Sequence, residues 1–104
     1  MQRNVTRDDD PDRARDPDEL FGVLDDRDCR AFLAALDEPR TATELSERCD
    51  VPSSTTYRKL HRLSALGLVD ARREVCGAHN HQARYHRTAE SVSFEFSDCT
   101  LDVD

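Results

Sequence analysis

The chain is predicted to be mainly α-helical with a small antiparallel β-sheet, an α+β domain, and three observations predict it. Residues 41–67 hold two helical segments with their own start and stop signals, joined by a tight turn. Residues 68–88 hold two extended runs either side of a loop. Residues 92–96 alternate apolar and polar side chains, the period of a half-buried strand.

The N-terminal seventeen residues, MQRNVTRDDDPDRARDP, carry charges and two prolines with almost nothing to bury. Residues 1–17 are therefore expected to form a disordered, acidic tail. The domain proper is assigned to residues 18–90. An apolar pattern opens at Asp18 with Leu20, Phe21, Val23 and Leu24. From Asp26 to Leu36 it continues as a helix with Cys29, Phe32, Leu33 and Leu36 on one stripe. Cys29 on that stripe reads as a core residue.

Thr41 followed three residues on by Glu44 is a capping box, each side chain serving an orphan backbone donor at the helix start. The short helix runs through Leu45 and Arg48 and breaks at Asp50-Val51-Pro52. Pro52 suits the first turn of a second helix, where its missing N–H is no loss. That helix stops at Gly67. The layout is a helix-turn-helix, whose second helix is of the kind that enters the DNA major groove.

The faces of the second helix are distinct. Thr56, Leu60 and Leu63 lie on an inward stripe, while Ser54, Arg58 and Arg62 lie opposite. Thr55, Lys59 and His61 flank the polar face, and Tyr57 sits near its boundary. Short hydroxyls at the leading end, with Thr41 and Ser53 among the candidates, and long cations further along suit phosphate anchoring and base-edge contact. A merely solvated polar face would show the same pattern, and the flanking hairpin favours the DNA reading over it.

That hairpin runs from Leu68 to Val75 and from Ala83 to Thr88, around a loop with Gly77 and Asn80 as turn formers. Arg72, Arg73, Arg84 and Arg87 line it. His79 and His81 near its tip read as polar loop residues that touch phosphate.

Residues 18–88, with the core LSERCDVPSSTTYRKLHRLSALGLV, resemble the winged helix-turn-helix regulators of bacteria and archaea, of the arsenic-repressor-like type. They are most similar to small haloarchaeal members. The resemblance implies a homodimeric, sequence-specific transcriptional regulator of double-stranded DNA, with Ser53 to Leu66 as the recognition helix and Val69 to Thr88 as the wing. The metal-sensing members carry paired cysteines in the helix before the turn. Here that helix reads ELSERC, with Cys49 alone, which argues against a thiolate metal switch of that kind.

The formal net charge of −7 is unevenly sorted. Residues 53–90 hold seven Arg or Lys against three Asp or Glu, and the rest of the chain is strongly acidic. The proposed DNA-facing half is thus basic. One Lys against fourteen Arg, and fifteen Asp against seven Glu, resemble the usage of extreme halophiles. At molar salt little free energy is left in counterion release, so base contacts and dimer avidity must carry more of the affinity.

In residues 91–104, Val92, Phe94 and Phe96 alternate with Ser93 and Glu95, Ser97-Asp98 suits a turn, and Leu101 and Val103 form the return strand. This extra C-terminal β-hairpin is expected to complete the core, meet a partner subunit, or both. No apolar run reaches the length of a membrane span and no signal peptide precedes the domain, so a cytoplasmic location is expected.

Two further functional classes remain. Cys76, His79 and His81 in CGAHNH, with His86 or Cys99 as a fourth ligand, or else the Cys49 thiol, would make a metal- or redox-responsive regulator. The absence of any C-x-x-C pair argues against a structural zinc ribbon, and no metal or other cofactor is assigned. Alternatively, the winged helix is a protein-interaction module without DNA affinity. Catalysis finds no support: with three glycines there is no phosphate loop, no serine-centred nucleophile elbow appears, and the acidic residues fall in tails and on helix surfaces.

Overall fold

Helix α1 (Pro17–Asp25) packs on α2 (Arg27–Ala35), followed by a two-residue strand β1 (Arg40–Thr41), helices α3 (Ala42–Cys49) and α4 (Ser53–Ala65), and strands β2 (Val69–Val75) and β3 (His81–Arg87). A second hairpin, β4 (Val92–Glu95) and β5 (Thr100–Val103), ends the chain. The computed structural model describes residues 17–75 and 81–104. The expected disordered tail lies outside the described residues except for Pro17. That residue opens α1, where a proline loses nothing, and Asp18 and Glu19 then place negative charge in the first turn, at the positive end of the helix dipole.

The helix ends are set by local chemistry. Asp26 caps α2, its carboxylate accepting from the backbone N–H of Asp28 and Cys29 at 2.9 and 3.2 Å. The capping box of α3 is complete: Thr41 Oγ1 accepts from Glu44 N at 3.1 Å, and Glu44 Oε1 accepts from Thr41 N at 2.9 Å. Asp50 then turns left-handed, φ 59°, a conformation that Asp tolerates better than most residues. Pro52 stands just ahead of α4 as its N-cap rather than inside the first turn, and its carbonyl accepts from Thr56 N at 2.9 Å. Gly67 closes the unit with φ 77°, where a Cβ would be strained.

The inward stripes meet in one core. Leu20 and Val23 from α1, Cys29 and Phe32 from α2, Leu45 from α3, and Leu60 and Leu63 from α4 are all buried. Thr56 is fully buried too, its hydroxyl donating to the Pro52 carbonyl at 3.0 Å, so no polar group is left unpaid there. Leu33, expected on the core stripe, is only partly buried.

Strands β1, β3 and β2 form one antiparallel sheet in that order. The chain is a winged helix-turn-helix: helices α3 and α4 carry the turn, and β2 and β3 form the wing. Strand β3 begins at His81, two residues ahead of the expected Ala83, because the ladder runs on through Val75 opposite His81. Strands β4 and β5 pair with Val92 opposite Val103 and Phe94 opposite Leu101. Val92, Leu101 and Val103 pack on the core, while Phe94 and Phe96 stay 37% and 83% exposed. Aliphatic side chains, not the phenylalanines, close the core here. Among the described residues no helix is long and apolar enough to cross a membrane.

Candidate nucleic-acid interface

Helix α4 turns its Thr56, Leu60 and Leu63 stripe to the core, which forces the opposite face outward. Ser53, Ser54, Arg58, His61 and Arg62 are exposed, and Thr55 is half-buried at the edge. Tyr57, left between faces by its wheel position, is 53% exposed. Two sequence-derived candidates are placed differently. Thr41 is 8% exposed and its hydroxyl is committed to the α3 cap. Lys59 reaches sideways to the corner between α1 and α2, with Nζ 2.9 Å from a carboxylate oxygen of Asp26 and 2.9 Å from Asp28. Only 15% of its side chain is accessible, so it fastens α4 to α2 instead of facing outward.

The electrostatics of that corner are those of a partly desolvated ion triad. Burial opposes ionisation of Asp26, yet the Lys59 hydrogen bond and the capped N–H groups outweigh it and hold the carboxyl below its usual value. The same hydrogen bonds raise the Lys59 ammonium above its usual value.

Arg62 leans on α1. A Cβ added at Gly22 would sit 2.7 Å from Arg62 Nη2, closer than non-bonded atoms approach, so the guanidinium occupies the space a side chain would need. Replacing Gly22 by Ala is expected to leave the melting temperature unchanged or higher, since Gly costs a helix interior about 1 kcal/mol relative to Ala. Because Arg62 must leave its seat, duplex affinity should fall several-fold; thermal melting and duplex titration on the same sample check both halves.

Strand alternation divides the wing cations between two faces. Arg72 and Arg84 are directly opposed on one face, and Asp70 Oδ2 lies 3.0 Å from Arg72 Nε. Arg73 lies on the other face, where with Tyr57, Thr43 and Tyr85 it walls a groove of about 360 Å³ between wing and helices. Burial raises the Tyr85 hydroxyl's pKa, keeping it a protonated donor. Hydroxyls and a guanidinium around a groove open to solvent are groups that hydrogen-bond phosphate oxygens. Thr43 and Tyr85 were missed by sequence reasoning. The signal available for Thr43 was its place in the first turn, two residues after the capping threonine; nothing local marked Tyr85. Arg87 turns inward, donating to the Leu33 carbonyl at 2.8 Å.

The sensor candidates fare unevenly. Cys76, His79 and the side chain of His81 lie outside the described residues. Among the described residues no three His, Cys, Asp or Glu side chains gather as metal ligands. Burial pushes the Cys29 thiol up to about 11 and raises that of Cys49, so both disfavour the reactive thiolate.

Residues 24–72 match the family model of a helix-turn-helix domain. The matched span runs from the end of α1 into β2 and includes all of α2, α3, the turn and α4. No curated protein sequence matches the chain.

Proposed function

We propose that the protein is a sequence-specific, double-stranded-DNA-binding transcriptional regulator that acts as a homodimer. Helix α4 is the recognition helix in the major groove, and the wing lies on the flanking backbone or minor groove. One observation carries this reading: a core-facing stripe fixes α4 so that Ser54, Arg58, His61 and Arg62 project from one exposed face, beside a groove walled by Tyr57 and Arg73. The match to a helix-turn-helix domain supports it. The role is binding rather than catalysis, and the expected location is the cytoplasm.

The proposed dimer face is the aromatic patch of Phe21, Phe94 and Phe96. Adjacent rings meet edge to face with centroids 5.4 Å apart, and Phe21 is itself 44% exposed. Three neighbouring exposed phenylalanines out of four in the chain are more than scattered surface apolarity explains. Glu95, Asp98 and Asp102 stand on the same hairpin, so two copies repel at low salt and associate better as salt screens them.

Selection from a randomised duplex pool tests both parts. A dimer is expected to enrich an inverted repeat with half-sites about one helical turn, roughly 10 base pairs, apart. The double variant Phe94→Ser, Phe96→Ser is expected to sediment as a monomer and to enrich single half-sites. A pool with no shared sequence would remove the sequence-reading role, and an unchanged sedimentation coefficient would remove this dimer face.

A further inference from the structure

A cavity of about 270 Å³ lies away from the groove between wing and helices, where α1, α2 and the end of the wing meet. Leu24, Leu33, Leu68 and Val92 supply its apolar walls, and Arg87 and Glu90 are its charged groups. We infer that it is a binding site for a small monocarboxylate with an apolar tail, whose carboxylate pairs with Arg87.

The argument rests on how Arg87 is held. Its Nη1 donates to the Leu33 carbonyl at 2.8 Å, which orients the guanidinium and keeps three quarters of the side chain out of water. Its Nη2 meets Glu90 Oε1 at 3.5 Å, a long contact to a carboxylate that is 86% exposed. Exposed pairs of this kind are weak and screened by salt. A ligand carboxylate approaching over the leucine floor offers Arg87 a less hydrated partner, and a guanidinium pairs with a carboxylate through two parallel N–H donors. The apolar walls then take the tail, while the size of the cavity limits the ligand to a small molecule. Glu90 opposes such a ligand by charge, and an ammonium ligand would reverse the signs of both groups. The site therefore makes opposite predictions for anion and cation.

Arg87 ends β3, the strand that carries Arg84, and Val92 begins the hairpin that carries Phe94. A ligand here touches both the wing and the aromatic hairpin. Its use as an effector rests on the DNA-binding reading above; its binding does not.

The test titrates the full chain with hexanoate, hexan-1-ol and hexylammonium, followed by the backbone amide NMR shifts of Ala34, Arg87 and Val92. Hexanoate is expected to shift these amides saturably and to bind about tenfold more tightly than the uncharged alcohol, the size of one charged hydrogen bond. Arg87→Gln should remove that advantage, and Glu90→Gln, a surface change that leaves the fold alone, should strengthen hexanoate binding. Equal affinity for hexanoate and hexan-1-ol, preference for hexylammonium, weakening by Glu90→Gln, or no saturable shift would each overturn the assignment. Duplex titration with and without hexanoate, run separately, reads the effector role: a changed duplex affinity supports it, and an unchanged one refutes it while leaving the site intact.

Discussion

Replacing Arg58 and Arg62 together by Ala is expected to weaken duplex binding by about a hundredfold while leaving the fold unchanged. Each guanidinium in contact with a base edge or phosphate is worth about 1–3 kcal/mol, so two together, about 2–6 kcal/mol, span the roughly 2.7 kcal/mol that a hundredfold change requires. Both side chains are exposed on α4, so their truncation opens no core cavity, and such surface changes stay within about 0.5 kcal/mol in stability. The two residues differ in kind. Arg58 projects from the face opposite the buried stripe, whereas Arg62 rests against α1 at Gly22. Arg58→Ala alone is therefore expected to change sequence preference, and Arg62→Ala to weaken binding more evenly. Anisotropy titrations of the two single variants and the double variant, beside urea melts, separate loss of contact from loss of fold.

The second large effect is on stability. Among the described residues Phe32 is the largest fully buried side chain, set in α2 and clustered with the leucines of α1, α3 and α4. Its replacement by Ala removes a ring from the core cluster to which all four helices contribute, and Phe-to-Ala changes in cores cost about 3–5 kcal/mol. That is a large share of the stability of a domain this small, since native stabilities run at about 0.05–0.15 kcal/mol per residue. The variant should melt at least about 10 °C below the parent by circular dichroism, since 1 kcal/mol shifts the melting of a domain this small by about 4–8 °C. Arg58→Ala, at an exposed side chain on α4, should melt with the parent. A Phe32→Ala protein that melts within a few degrees of the parent would mean the core is assembled differently.

The comparison between these residues shows which information is local. The capping box at Thr41 and Glu44, the Thr56, Leu60 and Leu63 stripe and the stop at Gly67 depend on spacings of three to seven residues or on one backbone angle. All were legible in the sequence. Strand β1 was not: two residues carry no periodicity, and Thr41 finds its partner in Arg84, far along the chain. Lys59 reads as one more cation on a polar helix face until Asp26 and Asp28 are brought beside it across 33 and 31 residues. The seat of Arg62 at Gly22, the pairing of Phe21 with Phe94 and the inward turn of Arg87 toward Leu33 are likewise products of packing. For the proposed interface, the outward face of α4 was therefore readable, and the division of labour among its cations was not. Thr41 and Lys59 act in the fold, and Thr43 and Tyr85 join the groove because the wing folds back beside α3 and α4.

The measurement that bears most directly on the proposed function is fluorescence anisotropy of the full chain against duplex DNA from upstream of its own gene, beside a scrambled duplex, in potassium chloride raised to molar concentration. Binding of the upstream duplex is expected to exceed that of the scrambled one and to persist at high salt, because base contacts and dimer avidity survive when counterion release no longer helps. Equal, weak binding to both duplexes that disappears as salt rises would contradict a sequence-reading role for α4.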